Sequence, residues 1–351
     1  MSDSDAYIND MRTPADFAGI TFSLFKRASV KRSLLESIFK GNIEEANYWA
    51  AELICCGCLI ELWEVLLEVL GRYIYTANAK LPVLVMKCFN DFRMIASGND
   101  DQLGLRNNLR IRTIFSEIVT ILCLSRKKSK IEYVKIDEVQ DFDLLKLSSK
   151  MKAPNTDFAR GIIQNEDPSE VFVAVNELSF NISQPIRNSM LANYWIEWIL
   201  AFEKKCKQRK EHCQCKRRDF APQSDNTGKD ISFLIWDVLL KETKRRNNKA
   251  LLTIVENILE LFKIRYSSGV KRKRRHLLYF TVSLLCEPLD LSIPAIGDEV
   301  VVKSVVKNIS LVYSQVKQSQ VAYKDFVPKN QKEKQKLKSL EKISILRTMG
   351  M

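Results

Sequence analysis

Apolar residues along this chain recur at steps of three and four far more often than at every second position. That spacing marks one face of a helix, whereas alternation marks a half-buried strand. In NIEEANYWAAELI, Ala46, Trp49, Ala50 and Leu53 share a face, and Asn42 stands as an N-cap with Glu45 three residues on, the layout of a capping box. Gly57 is placed to close that helix. In LIELWEVLLEVLGRYI, Leu62, Trp63, Leu66, Leu70 and Ile74 make an apolar face, with Glu61, Glu64 and Glu68 opposite. A third helix follows Pro82 through Val85 and Phe89 to Ile95. The same spacing predicts helices over 108–125, 186–208, 231–247, 249–265, 276–286 and 299–318. Residues 137–151 also read as helical, and SEVFVAVNELSFNIS (169–183) admits a strand or a helix. With short links and no βαβ rhythm, the expected class is mainly α: a multi-helix array of antiparallel amphipathic helices with few or no strands.

Polar stretches divide the chain. The expected division is an N-terminal arm (1–29), a helical domain (30–218), a linker DFAPQSDNTGKD (219–230), a basic helical domain (231–320) and a lysine-rich tail (321–351). At 351 residues with 46% hydrophobic content, the chain is long enough to bury a core without disulfide staples. The start, MSDSDAYINDMRTP, is too acidic and polar for a signal peptide. No stretch approaches the ~20 apolar residues of a membrane span. The nine cysteines, mostly inside apolar helical patterns, are expected as free thiols of a reducing compartment.

Charge changes the picture. The net charge is +13, but residues 1–200 carry 23 basic and 26 acidic side chains, and residues 201–351 carry 32 and 16. The excess lies entirely in the second half, which is therefore expected to meet a polyanion: nucleic acid, an anionic membrane surface or acidic protein. Three runs carry it. KKCKQRKEHCQCKRR supplies Lys204, Lys205, Lys207, Arg209, Lys210, Lys216, Arg217 and Arg218. Lys244, Arg245 and Arg246 form the second run, and Lys271, Arg272, Lys273, Arg274 and Arg275 the third, just before the helix expected at 276–286. Tyr194, Trp195 and Trp198 precede the first run, and Tyr266 and Tyr279 flank the third. The tryptophans read first as core anchors.

Motifs for chemistry are sparse. No GxxxxGK[ST], GxSxG or HExxH occurs, and His212 and His276 are the only histidines, so no catalytic site is expected. IDEVQDFD (136–143) resembles the acidic motif of helicases but has no phosphate loop to serve, so it reads as an acidic first turn of a helix. Cys206, His212, Cys213 and Cys215 offer four zinc ligands within ten residues. No paired CxxC supports them, so a basic loop with free thiols competes with structural zinc, and no other cofactor is expected. The neighbouring lysines and arginines are expected to lower the thiol pKa values.

Six blocks then occur in order: NYWAAELICCGCLIELWEVLLEVLGRYI, NAKLPVLVMKCFNDF, NYWIEWILAFEKKCK, CQCKRRDF, ISFLIWDVLL and KRRHLLYFTVSLL. Together they resemble a protein family of nucleocytoplasmic large DNA viruses, seen in chloroviruses, other phycodnaviruses and mimivirus relatives. The resemblance spans roughly residues 30–290 and brings no catalytic motif with it. It implies a virion protein of the minor capsid type, located in the virion and in the host cytoplasm during assembly. Its partners would be other capsid proteins, with DNA or an anionic membrane surface against the basic half. A nucleic-acid-binding factor in replication, transcription or packaging is the other expectation.

Overall fold

A computed structural model describes residues 6–98, 101–211 and 213–318. The expected lysine-rich tail, residues 321–351, lies outside the described residues, as does His212. Among the described residues there is no strand, only an isolated bridge between Ile20 and Lys26. The chain is mainly α.

The helices run α1 (Arg27–Lys40), α2 (Ile43–Cys55), α3 (Leu59–Val69), α4 (Leu81–Ser97), α5 (Gln102–Asn107), α6 (Leu109–Leu124) and α7 (Leu144–Ser148). They continue as α8 (Phe172–Ile182), α9 (Ser189–Arg209), α10 (Asp225–Gly228), α11 (Ser232–Arg245), α12 (Lys249–Lys263), α13 (Ser268–Cys286), α14 (Glu299–Lys307) and α15 (Ile309–Gln318). A π turn (Leu70–Ile74) and a 3-10 turn (Tyr75–Asn78) carry α3 toward α4.

Helix α1 precedes the first helix expected from the pattern. Its buried positions Val30, Leu34 and Ile38 are spaced by four, and Gly41, at φ 79°, ends it with its N–H on Ile38 O. At the start of α2, the Asn42 side chain caps no helix amide; its Nδ2 donates to Glu45 Oε2 at 3.2 Å instead. Gly57 closes the turn after α2 at φ 70°, and a Cβ there would meet Pro14 Cγ at 2.9 Å. The ambiguous 169–183 stretch is helical, as α8. Residues 137–151 are mostly turn, and only Leu144–Ser148 forms a helix, capped by Asp143. The acidic motif there is a clamp. Asp141 accepts from Tyr194 Oη (2.9 Å) and pairs with Lys150 (2.7 Å), while its carbonyl takes the Trp198 indole N–H.

The described part of the N-terminal arm is pinned to the body. The Ile8 backbone exchanges two hydrogen bonds with the Asn107 side chain, and Phe17 and Phe22 are fully buried. One hydrophobic cluster includes Trp63, Phe115 and Leu66 from before the 219–230 stretch and Trp236, Phe262 and Leu278 from after it. Helix α12 packs on α4, and α11 on α8. All nine cysteines are free thiols. Among the described residues no helix is long and apolar enough to cross a membrane.

Helix α13 passes so close to the π turn that a Cβ on Gly71 would lie 2.4 Å from His276 Cδ2. His276 is buried and donates from Nε2 to Leu67 O at 3.0 Å. Burial, helped by the nearby Arg72 charge, lowers its pKa to about 3. The unfolded chain binds a proton near pH 6.5 that the folded chain refuses until about pH 3. Stability therefore falls as pH drops through that window, by at most about 1.4 kcal/mol per pH unit from this group. Urea unfolding across the window should show a shallower slope for His276→Gln, by about one proton.

Candidate partner-binding groove

The three basic runs are not three surface patches. Helix α13 starts at Ser268, earlier than expected, and contains the KRKRR run, so its members point in different directions. Lys271 is 5% exposed and lies between Glu203 of α9 and Asp230 at 2.9 Å. Arg274 is 1% exposed; it grips Glu64 of α3 and donates to the carbonyls of Leu261, Phe262 and Ile264 at the end of α12. Arg275 pairs with Glu197 at 3.0 Å and stacks on the Tyr133 ring. Arg272 and Lys273 are exposed and make no ion pair among the described residues.

In the first run Arg218, 4% exposed, bonds Asp167 through both terminal nitrogens and Asp237 through Nε. Lys204 pairs with Glu138 at 2.6 Å and Lys207 with Glu203 at 2.8 Å, while Lys205 sits over the Phe142 ring. Arg209, Lys210, Lys216 and Arg217 stay exposed around the end of α9 and beyond. In the second run Arg246 folds back on Glu242 and Ile182 O, leaving Lys244 and Arg245 outward. Arg218, Lys271 and Arg274, expected on the contact surface, are thus internal ties. A buried carboxylate strands an uncompensated charge if its cation leaves, and this constraint holds them inside.

The thiols also depart from expectation. Cys206, in the last turn of α9, and Cys215 are buried, and Cys213 is half-buried. Burial pushes the Cys213 pKa up to about 12 and raises Cys206 and Cys215 as well. The expected lowering is absent because burial is the largest influence and Arg218 and Lys207 are engaged by carboxylates. Among the described residues no group of three His, Cys, Asp or Glu side chains is placed to hold a metal. Trp63, Trp195 and Trp198 are core residues, and Trp49 is half-buried.

The surface feature that remains is a groove in two parts. One recess, about 880 Å³, lies between α1, α3 and α13. The other, about 990 Å³, lies between the 132–138 segment, α9 and the start of α13. Tyr133 and Arg272 line both, so the two recesses adjoin. The segment between them is tied to the body by every third amide: Lys128 N–H to Tyr73 O (2.7 Å), Ile131 N–H to Arg72 O (3.0 Å) and Val134 N–H to Tyr279 Oη (3.1 Å). Tyr133 is flanked by the guanidinium groups of Arg72 (4.9 Å) and Arg275 (3.7 Å).

Charge accounting gives the groove its sign. Glu36 holds Arg32, Glu61 holds Arg27 and Lys31, Glu64 holds Arg274, and Glu68 holds Arg72. Glu138, Glu197 and Glu203 are likewise matched to Lys204, Arg275 and Lys271. Lys130 and Glu132 make only a long, exposed contact of 3.7 Å. Lys40, Lys135, Arg272 and Lys273 line the groove and make no ion pair among the described residues. Lys40, Lys135 and Tyr133 belong to none of the three basic runs; they come from segments distant in sequence, and only the fold brings them together. Lys204, Lys207 and the third run reach the groove, whereas Lys244, Arg245 and Arg246 do not line it. No family model, curated protein or solved structure matches this chain, so the groove is read from its own residues.

Proposed function

We propose that this chain is a non-catalytic structural protein, a minor capsid component of a large icosahedral DNA virus. Its groove holds acidic segments of neighbouring capsid proteins. The observation that carries the binding role is the set of cations with no ion pair among the described residues, Lys40, Lys135, Arg272 and Lys273, along two adjoining recesses whose carboxylates, Glu132 apart, are matched by close cations. An acidic strand laid there meets positive charge without displacing a structural ion pair, and such complementarity selects partners and speeds encounter. The viral setting is supported by the six ordered blocks that resemble the viral family.

Virions stripped of loosely bound protein should retain the chain in the shell fraction. A virus carrying Arg272→Glu with Lys273→Glu should lose it to the soluble fraction. Absence of the natural chain from the shell contradicts the proposal.

A second reading, nucleic-acid binding, draws on one feature. Phe39 is 46% exposed on the groove wall and stands edge-on to Tyr73 at 5.4 Å, a platform on which a base can stack. Affinity for an oligonucleotide that falls steeply with salt would favour it, since neutralised phosphates release counterions.

A further inference from the structure

A third recess, about 440 Å³, opens between α1 and α2 beside the end of α15. Its chemistry is opposite to that of the groove. Glu36, Glu44 and Glu45 line it with the half-buried Trp49, and Lys40 stands on the shared rim. Glu36 is engaged by Arg32 at 2.8 Å. Glu44 makes no hydrogen bond or ion pair among the described residues. Among the described residues Glu45 accepts from neutral donors alone, Ser37 Oγ at 3.1 Å and Asn42 Nδ2 at 3.2 Å. Among the described residues, two carboxylates beside an indole therefore lack a paired cation.

Gln315 also lines this recess, three residues before the last described residue, Gln318. The chain continues for 33 residues that carry eight Lys/Arg and three Asp/Glu. Lys324 is six residues beyond Gln318, within about 20 Å of extended chain. We propose that this lysine-rich segment, residues 319–351 of the same chain, docks in the recess, its ammonium groups on Glu44 and Glu45 and over the Trp49 ring. Exposed ion pairs are individually weak, and a lysine over an indole adds modestly. The tether supplies what they lack, because a short linker holds its end at an effective concentration in the mM range. The recess adjoins the groove at Glu36 and Lys40, but the docking uses Glu44, Glu45 and Trp49, which do not line the groove, so the inference does not rest on the groove reading.

The full chain, mixed in equal parts as unlabelled and ¹⁵N-labelled protein, is treated at low salt with a carbodiimide that joins touching carboxylates and amines. Links from Glu44 or Glu45 to lysines between Lys324 and Lys342, within one isotopic form, are expected. Trypsin should cut that segment at least threefold faster in Glu44→Gln/Glu45→Gln than in the natural chain, and high salt should erase the difference. Links joining light to heavy chains would overturn the same-chain assignment. The absence of such links, together with equal cutting rates, would overturn the docking itself.

Discussion

Replacing Lys271 with methionine should remove about 3–5 kcal/mol of stability, while Lys273→Met, two positions along the same helix, should stay within about 0.5 kcal/mol of the natural chain. Both residues belong to one basic run. Lys271 is 5% exposed between the Glu203 and Asp230 side chains, which are 8% and 7% exposed, whereas Lys273 is exposed with no ion pair among the described residues. Methionine keeps the bulk and the apolar stem, so the loss reports charge rather than volume. The pH profile supplies a second signature. Burial by itself raises the Asp230 pKa, and the Lys271 ammonium outweighs it and holds the carboxyl below its ordinary value. In the natural chain the Asp230 contribution is therefore present above its unfolded pKa and lost as pH falls through the folded one. Without Lys271 the sign reverses: burial raises Asp230, and its penalty is relieved by protonation. The deficit of the variant should narrow as pH falls from neutral toward 5, as read by urea unfolding at each pH.

Trp63→Ala should cost about 3–5 kcal/mol through the cavity it leaves. The indole is 1% exposed, with the rings of Phe89, Phe92 and Phe115 at 5.2, 5.8 and 5.1 Å. It thus joins α3 to α4 and α6, and a void there touches three helices. Trp63→Phe should be far milder, under about 1.5 kcal/mol. The Trp63 indole N–H has no hydrogen-bond partner, so phenylalanine removes an unmatched donor along with some volume. Equal losses in the two variants would show that the cluster depends on something other than aromatic packing.

The helices were legible because burial follows spacing. Leu62, Trp63, Leu66, Leu70 and Ile74 form the expected face and all are buried. Legibility failed where meaning depends on which face a charged residue occupies. A run such as KRKRR looks uniform in sequence, but on a helix it divides. From buried Leu278, a step back of four reaches Arg274 and a further step of three reaches Lys271, both inside, while Arg272 and Lys273 stay outside. The helical turn at 137–151 failed for another reason. The Asp137 and Asp141 carboxylates take backbone N–H groups locally and hold a turn, the usual competition between such side chains and a helix. The groove was not legible at all, because Lys40, Lys135 and Arg272 converge only through the packing of α1, α13 and the tethered segment.

The proposed role of the groove's cations is to hold an acidic protein segment. The direct measurement is fluorescence anisotropy of a labelled glutamate-rich peptide titrated with the purified full chain, with a single-stranded oligonucleotide of equal length alongside. The account predicts that the peptide binds at low salt and that Arg272→Glu/Lys273→Glu weakens it by tenfold or more, about 1.4 kcal/mol, with unfolding stability unchanged. Peptide affinity untouched by that reversal, or an oligonucleotide that binds where the peptide does not, would contradict it.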